Sequence, residues 1–189
     1  MDLAALKREL GVNDIYEIVN KYILCEDCVC FSGEKDLIRR LKGAIADHFH
    51  LHLKSIEIVG SGKLGISLNE ERFGKPFDAN SDIDLIVVSS ELFDKAWIEL
   101  LMLDYKYPHR LKGNDRAFLS ESFETIHKGY LSPNKLPEAS NFGRNWWAIF
   151  SNLSNKPKYE NRKIRGRLFK NWFCVEKYYS LQLVKLKGE

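Results

Sequence analysis

The chain has 189 residues, of which 44% are hydrophobic and 29% are charged, and its formal net charge is +3. Apolar runs such as LIVV and IELLML are too short to cross a bilayer, so the composition excludes a membrane-spanning chain and is typical of a globular protein. The length suits one domain with a substantial core. MDLAALKREL, at the N-terminus, lacks the apolar segment of a signal peptide, and we expect a cytoplasmic protein.

Two helices are predicted before the first strand. Apolar residues recur at helical spacing over 14–24 and again from about 34 to 49. Between them lie Cys25, Cys28 and Cys30, and a C-x-x-C pair is compatible with a zinc or redox site. Because no second C-x-x-C pair and no standard zinc spacing follow, the reduced thiols of a cytosolic protein are favoured.

The middle of the chain predicts two strands and a helix. SIEIVG, residues 55–60, favours a strand that ends in a Gly-Ser-Gly turn, and the apolar run after Asp84 favours a second strand buried on both faces. A helix over 91–103 follows, with one apolar face formed by Leu92, Phe93, Ala96, Trp97, Leu100 and Leu101.

The last part of the chain gives weaker signals. Residues 104–160 carry four prolines among several aromatic residues, which indicates an ordered, irregular segment with one or two short helices. Alternation over 162–168 predicts a short strand. A closing helix is predicted from a stripe of Leu168, Trp172, Val175, Tyr179, Leu183 and Leu186.

The pair of acids at the start of the second strand needs an explanation. Asp82 and Asp84 are two residues apart, so both carboxylates point to the same side of the strand and repel each other. Mg²⁺ or Mn²⁺ bound between them would cancel that repulsion, and the backbone N–H groups of the Gly-Ser-Gly turn would hold a triphosphate. A purely structural role, in which Asp82 caps the preceding loop, leaves Asp84 unexplained.

These motifs resemble the DNA polymerase β-like nucleotidyltransferase superfamily. Its hallmark, a hydrophobic residue before Gly-Ser and an Asp-hydrophobic-Asp on the next strand, is matched by Val59-Gly60-Ser61 and by Ser81-Asp82-Ile83-Asp84. The resemblance covers residues 55 to 90. It implies a small α+β fold, in which a short mixed sheet is flanked by helices. We expect a single nucleotidyltransferase domain over 1–189, with a core at about 34–103 and a helical or irregular extension at about 104–189.

The same resemblance assigns the site residues. Asp82 and Asp84 are expected to be catalytic and to bind the metal ion, and Gly60 and Ser61 are expected to contact the nucleotide phosphates. The predicted nucleotide-binding set also includes Gly62, which belongs to the Gly-Ser-Gly turn, and Lys63, which follows it and could reach phosphates unless it is a solvated charge.

Two departures from the superfamily pattern stand out. Between Ser61 and Asp82 lie residues 62 to 81, an unusually long interval that predicts an inserted loop. The third carboxylate that such sites usually take from a later strand is missing from RKIRGRL, which is basic. The remaining candidates are Glu160, Asp115, Glu121 and Glu124. If none of these acids is the third ligand, the site works with two carboxylates, or the domain keeps the fold but is catalytically inactive.

Three functions follow from these observations. The first is transfer of NMP or dNMP to a hydroxyl of a protein or nucleic acid. The order of motifs resembles compact bacterial enzymes of toxin–antitoxin or phage-defence operons, which implies an operon-encoded protein partner. The second is a degenerate domain that binds nucleotide, nucleic acid or a protein without catalysis. The third is an antibiotic-modifying nucleotidyltransferase.

The basic C-terminal segment argues against that third function. Residues 156–189 contain ten Lys and Arg against three Glu, which disfavours a polycationic substrate and suits phosphates or nucleic acid, if it is more than a solvated face. Five aromatic residues of the C-terminal half either stack bases or fill the core, namely Trp146, Trp147, Trp172, Tyr178 and Tyr179.

Overall fold

The structure is a computed structural model that describes residues 2–25, 27–106 and 113–187. Its helices are α1 (Leu3–Val12), α2 (Ile15–Ile18), α3 (Lys35–Phe49), α4 (Ser61–Leu64), α5 (Ser90–Lys106), α6 (Asn114–Ile126), α7 (Asn141–Ser154) and α8 (Trp172–Lys187). Its strands are β1 (Ile56–Val59), β2 (Ile83–Val88), β3 (Tyr130–Leu131) and β4 (Ile164–Phe169). The predicted α+β class is confirmed. Within the described ranges, no helix is both long enough and apolar enough to span a membrane.

The four strands form one mixed sheet in the order β1-β2-β4-β3. β1 runs antiparallel to β2, β2 runs parallel to β4, and β3 runs antiparallel to β4. A strand from the last third of the chain therefore lies in the middle of the sheet, beside the strand that follows Asp82. The predicted core, about 34–103, supplies β1 and β2 of this sheet, and the predicted extension, about 104–189, supplies β3 and β4.

Helices cover both faces of the sheet. Alternate residues of a strand point to opposite faces. On the first face, Ile83, Leu85 and Val87 pack with apolar residues of α3, α5 and α7. On the second face, Ile86 and Val88 pack with apolar residues of α1, α2 and α8. Both sides of β2 are buried along most of its length, as its continuous apolar run predicts.

Most predicted elements are confirmed with small shifts of their ends. The helix predicted over 34–49 is α3, the strand over 55–60 is β1, the helix over 91–103 is the centre of α5, and the strand over 162–168 is β4. The helix predicted over 14–24 divides into α2 and a π-helical turn, Val19–Cys25. All four cysteines are free thiols, and Cys30 is fully buried.

Other sequence predictions are confirmed only in part. The one or two short helices predicted within 104–160 are α6 and α7, of 13 and 14 residues, and the described prolines lie between the helices and not within them. Pro133 and Pro157 each start a 3₁₀ turn, and Pro108 lies outside the described residues. The closing helix begins only at Trp172, since Leu168 belongs to β4 and Asn171 accepts a hydrogen bond from the Cys174 N–H at the helix start.

Candidate nucleotide site

Asp82 and Asp84 lie on the second face of the sheet, at the end where β2 begins. Asp84 is paired in register with Val59 of β1 and Arg165 of β4, and Asp82 directly precedes the strand. Burial raises the pKa of the Asp84 carboxyl, the charge of Asp82 raises it further, and Arg165 and Arg167 oppose the shift. The predicted repulsion between two neighbouring carboxylates is therefore a property of the folded chain.

The turn after β1 brings backbone against Asp84. Gly60 has φ +65° and ψ −148°, a conformation that L side chains rarely adopt. A Cβ atom at Gly60 would lie 3.3 Å from Asp84 Oδ2. Glycine is thus required both for the backbone angle and for the close approach of the carboxylate. Ser61 follows as the first residue of α4.

The Lys63 ammonium pairs with Glu57 and does not line the Asp84 cavity described below, whereas the contact predicted for Gly62, which would use its backbone N–H, stays a prediction. A Cβ at Gly62 would meet the side chains of Cys30, Ile58 and Phe77, each at 3.7 Å. The Lys63 side chain is 3% exposed, and its ammonium lies 3.4 Å from Glu57 Oε1. Lys63 lines a separate cavity together with Glu57 and Cys28, whereas Gly60 and Ser61 line the Asp84 cavity.

Basic side chains of β4 stand beside the acids. Arg165 and Arg167 are two residues apart and point to the same side as Asp84. Arg165 Nη2 lies 3.0 Å from Asp82 Oδ2, and both side chains of this pair are partly exposed. The arginine therefore supplies some of the positive charge that the acid pair needs.

Arg167 is held more rigidly than Arg165. Its guanidinium carbon lies 4.7 Å from the ring centroid of Tyr178 and 5.6 Å from that of Tyr130, and Nη1 donates a hydrogen bond to the Tyr178 hydroxyl. Arg167 Nε is buried and has no hydrogen-bond partner among the described residues. A buried donor without a partner is unfavourable, and an anion would satisfy this N–H only if neighbouring side chains moved to expose it.

These groups surround a cavity of about 640 Å³, here called the Asp84 cavity. Gly60, Ser61 and Asp84 line one side of it, with Arg165 and Arg167. Tyr178, Tyr179 and Gln182 of α8 line it too, as do Trp147 and Lys135. The volume is within the range of small-ligand sites, and the combination of one acid, Asp84, with several cations and aromatic rings suits a nucleotide better than an apolar ligand.

The third carboxylate is not found at the pair. In the ranges that the structure describes, no three His, Cys, Asp or Glu side chains converge on a possible metal position. Glu160, the predicted candidate, instead forms an ion pair with Arg162, whose Nε lies 2.5 Å from Glu160 Oε2. Asp115 accepts the Glu138 N–H, and Glu121 pairs with Lys135. Each of these three acids therefore has a partner other than the acid pair.

The two carboxylates that remain fit a divalent ion in kind and number. Mg²⁺ commonly uses one or two protein carboxylates together with substrate phosphates and water. Asp82 and Asp84 meet that requirement on one side of the sheet, although Arg165 must share Asp82 with the ion.

The aromatic residues divide between the core and the site. Trp146 is fully buried on the first face, so it cannot stack a base. Tyr178 and Tyr179 line the Asp84 cavity with Trp147. The Tyr179 ring is little exposed, and its burial raises the pKa of its hydroxyl. Trp172 is partly exposed and does not line the cavity.

Sequence reasoning missed Arg165 and Arg167 as site residues, although it noted that their strand is basic. The signal was the alternation of Lys163, Arg165 and Arg167 in a strand whose other positions are apolar or glycine. Comparison of the chain with protein families, with curated proteins and with solved structures finds no match.

Proposed function

We propose that the protein is a nucleotidyltransferase that depends on Mg²⁺ or Mn²⁺ and transfers NMP or dNMP from a nucleoside triphosphate to a hydroxyl of a protein or nucleic acid. One observation carries the proposal, the meeting of Asp84 with the Gly60 turn at the edge of the Asp84 cavity, where Asp84 Oδ2 would lie 3.3 Å from a Cβ at position 60. An acid pair beside a tight backbone turn and several cations suits a triphosphate and its divalent ion.

The residues take distinct roles in this proposal. Asp82 and Asp84 would hold the ion, which when bound would favour loss of the acceptor proton to solvent and would neutralise charge on the pyrophosphate. Gly60 and Ser61 contact the phosphates. Arg165 and Arg167 stabilise the negative charge that grows on the leaving group. The acceptor oxygen forms a bond to the α-phosphorus, the bond from that phosphorus to the bridging oxygen breaks, and pyrophosphate leaves.

A second candidate function is nucleotide binding without transfer. The ion pair of 3.0 Å between Arg165 and Asp82 favours it, because the arginine already provides the counter-charge that would otherwise come from a metal ion. In that case the cavity binds the triphosphate through its cations, and Asp84 contributes only to the shape of the turn.

One experiment separates the two functions. The protein is incubated with Mg²⁺ and each labelled NTP or dNTP, and pyrophosphate release and label on protein or added oligonucleotide are measured. Asp84→Asn should lower turnover by about 10³-fold while circular dichroism shows a folded chain. Asp36→Asn is the matched control, since Asp36 is an exposed carboxylate on α3 that pairs with Arg39.

Two results would contradict transfer. Equal turnover in wild type and Asp84→Asn would remove the acid pair from the mechanism. Nucleotide binding in the wild type without pyrophosphate release, under every nucleotide and either metal, would favour the second function.

A further inference from the structure

A second cavity, of about 1070 Å³, opens beside the Asp84 cavity. It lies between α5, the residues just before β3, and α8, and we call it the α5–α8 groove. Both cavities are lined by Leu68, Asn69, Tyr178 and Gln182. A molecule lying in the groove is therefore adjacent to the place where Asp84 meets the Gly60 turn.

Large apolar side chains are exposed in this groove. Trp97 of α5 is 38% exposed, and Phe173 and Leu181 of α8 are each 62% exposed. All three line the same cavity. Side chains of this size are usually buried in the core, and several of them exposed together mark a binding surface.

Lysines alternate with these apolar groups. The groove is lined by Lys128, Lys170, Lys177 and Lys185, against Glu70 and Glu71. Lys177 Nζ lies 5.2 Å from the ring centroid of Phe173, and Lys170 Nζ lies 5.7 Å from that of Phe93. The surface therefore presents the exposed ring of Phe173 with a cation beside it and an excess of positive charge, whereas the Phe93 ring is buried.

Two of these lysines also form ion pairs. Lys170 lies 3.0 Å from Asp94, and Lys185 lies 2.9 Å from Glu70. All four side chains are well exposed, and pairs of that kind contribute little to stability. A phosphate group can compete for both lysines.

We infer that the α5–α8 groove binds single-stranded nucleic acid and directs a terminal hydroxyl of that strand toward the Asp84 cavity. Bases stack on Trp97 and Phe173, and phosphates contact the lysines. A protein partner would use the apolar side chains but would not need the excess of lysine, which is why nucleic acid is favoured. The second half of the inference, that the strand is the acceptor, rests on the proposed nucleotidyl transfer.

The binding is tested without any chemistry. Fluorescence anisotropy measures the affinity for labelled single-stranded RNA and DNA of about 12 nucleotides, in the absence of divalent ion and nucleotide. Trp97→Ala and Phe173→Ala should each lower the affinity by about fivefold or more, and Lys128→Glu should lower both the affinity and its dependence on salt. Tyr105→Ala is the control, since Tyr105 is an exposed aromatic residue of α5 that does not line the groove.

The outcomes distinguish the groove from the reaction. Oligonucleotide binding that depends on Trp97 and Phe173, without label transfer, supports the groove and counts against the proposed transfer. Label transfer to another acceptor, with no oligonucleotide binding, overturns the groove inference and leaves the transfer intact. Binding that is equal in wild type, Trp97→Ala and Phe173→Ala also overturns it and would make the groove a surface for a protein partner.

Discussion

On the first face of the sheet, β2 and β4 present aliphatic side chains to three helices, whereas on the second face the same strands present Asp84, Arg165 and Arg167 to α8 and a cavity. Both faces belong to the same two strands. The difference between them therefore arises from the side chains at alternate positions. Apolar positions continue to the end of the first face. On the second face they give way to charged positions at the end where β2 and β4 begin.

Gly166 marks the contrast between the faces. It lies between Arg165 and Arg167 but points to the first face, where the rings of Trp146 and Phe150 lie directly against its backbone. At this level of the sheet the first face is filled by aromatic rings and the second face presents charged side chains, and the Asp84 cavity reaches both, since Gly166 and Phe150 also line it. The comparison indicates that the first face contributes stability and the second contributes the site, and the following predictions test that division.

The largest expected effect on folding is at Gly166. A Cβ there would lie 2.7 Å from Trp146 Cζ2 and would overlap Phe150, so Gly166→Ala should lower the free energy of unfolding by about 2 kcal/mol. Urea denaturation measures the change. Gly43→Ala, in the middle of α3 where a Cβ meets nothing within 4 Å, should instead raise it by about 0.5 kcal/mol. Equal stability of Gly166→Ala and wild type would mean that the first face is not closely packed.

Arg167→Lys should weaken nucleotide binding without unfolding the protein. Lysine keeps the positive charge but lacks the Nε donor, which has no partner in the described chain, and lacks the planar guanidinium that lies against Tyr178. We expect the affinity for a nonhydrolysable triphosphate, measured by calorimetry, to fall about tenfold.

Arg144→Lys is the matched control for this change. Arg144 is an exposed arginine of α7 that donates to the Glu138 carbonyl, outside the Asp84 cavity. Unchanged affinity in Arg167→Lys would mean that the second face binds anions through charge alone or does not bind them.

Asp84 should make stability depend on pH in the metal-free protein. Its pKa is higher in the folded chain than its ordinary value of 3.8, so the unfolded chain ionises first as the pH rises, and stability falls above about pH 4 until the folded carboxyl has also ionised. Asp84→Asn removes this loss. Its advantage over wild type in melting temperature, measured with a chelator present, should grow from pH 3.5 to pH 7; an advantage that shrinks over this range would contradict the burial of the charge.

Lys63→Gln should have the smallest effect on the site. The lysine is paired with Glu57 and does not line the Asp84 cavity, so nucleotide affinity should be unchanged. The free energy of unfolding should fall by about 1 kcal/mol, since Glu57 loses one partner and keeps Lys42 at 3.0 Å. A marked loss of nucleotide affinity in a variant of normal stability would mean that Lys63 does contact the nucleotide.

The sequence predicted those features that depend on neighbouring residues. Helical and strand periodicity located α3, β1, β2 and the centre of α5, and the two-residue spacing placed Asp82 and Asp84 on one side of a strand. The closeness of the Gly60 turn to Asp84 was expected from the resemblance, and the structure has it through the pairing of Val59 with Asp84.

Features that depend on distant residues were not predicted. The place of Arg165 opposite Asp84 depends on the register of β4 against β2, and nothing in either strand alone specifies that register. The direction of Lys63 depends on the packing of α4 against β1, which places Glu57 within reach of its ammonium. The exposure of Trp97 was missed because the helical spacing of apolar residues does not show which of them other elements of the fold cover.

The position of β4 also constrains the order in which the molecule can assemble. During synthesis, β1, the Gly60 turn and β2 emerge together, but the strand that fills the place beside β2 follows only after α5, α6, β3 and α7. A nascent chain thus has its carboxylates long before it has the arginines that neutralise them. Pairing between segments so far apart is slow to form, and binding competence should arise late, as one of the last events of folding on the ribosome.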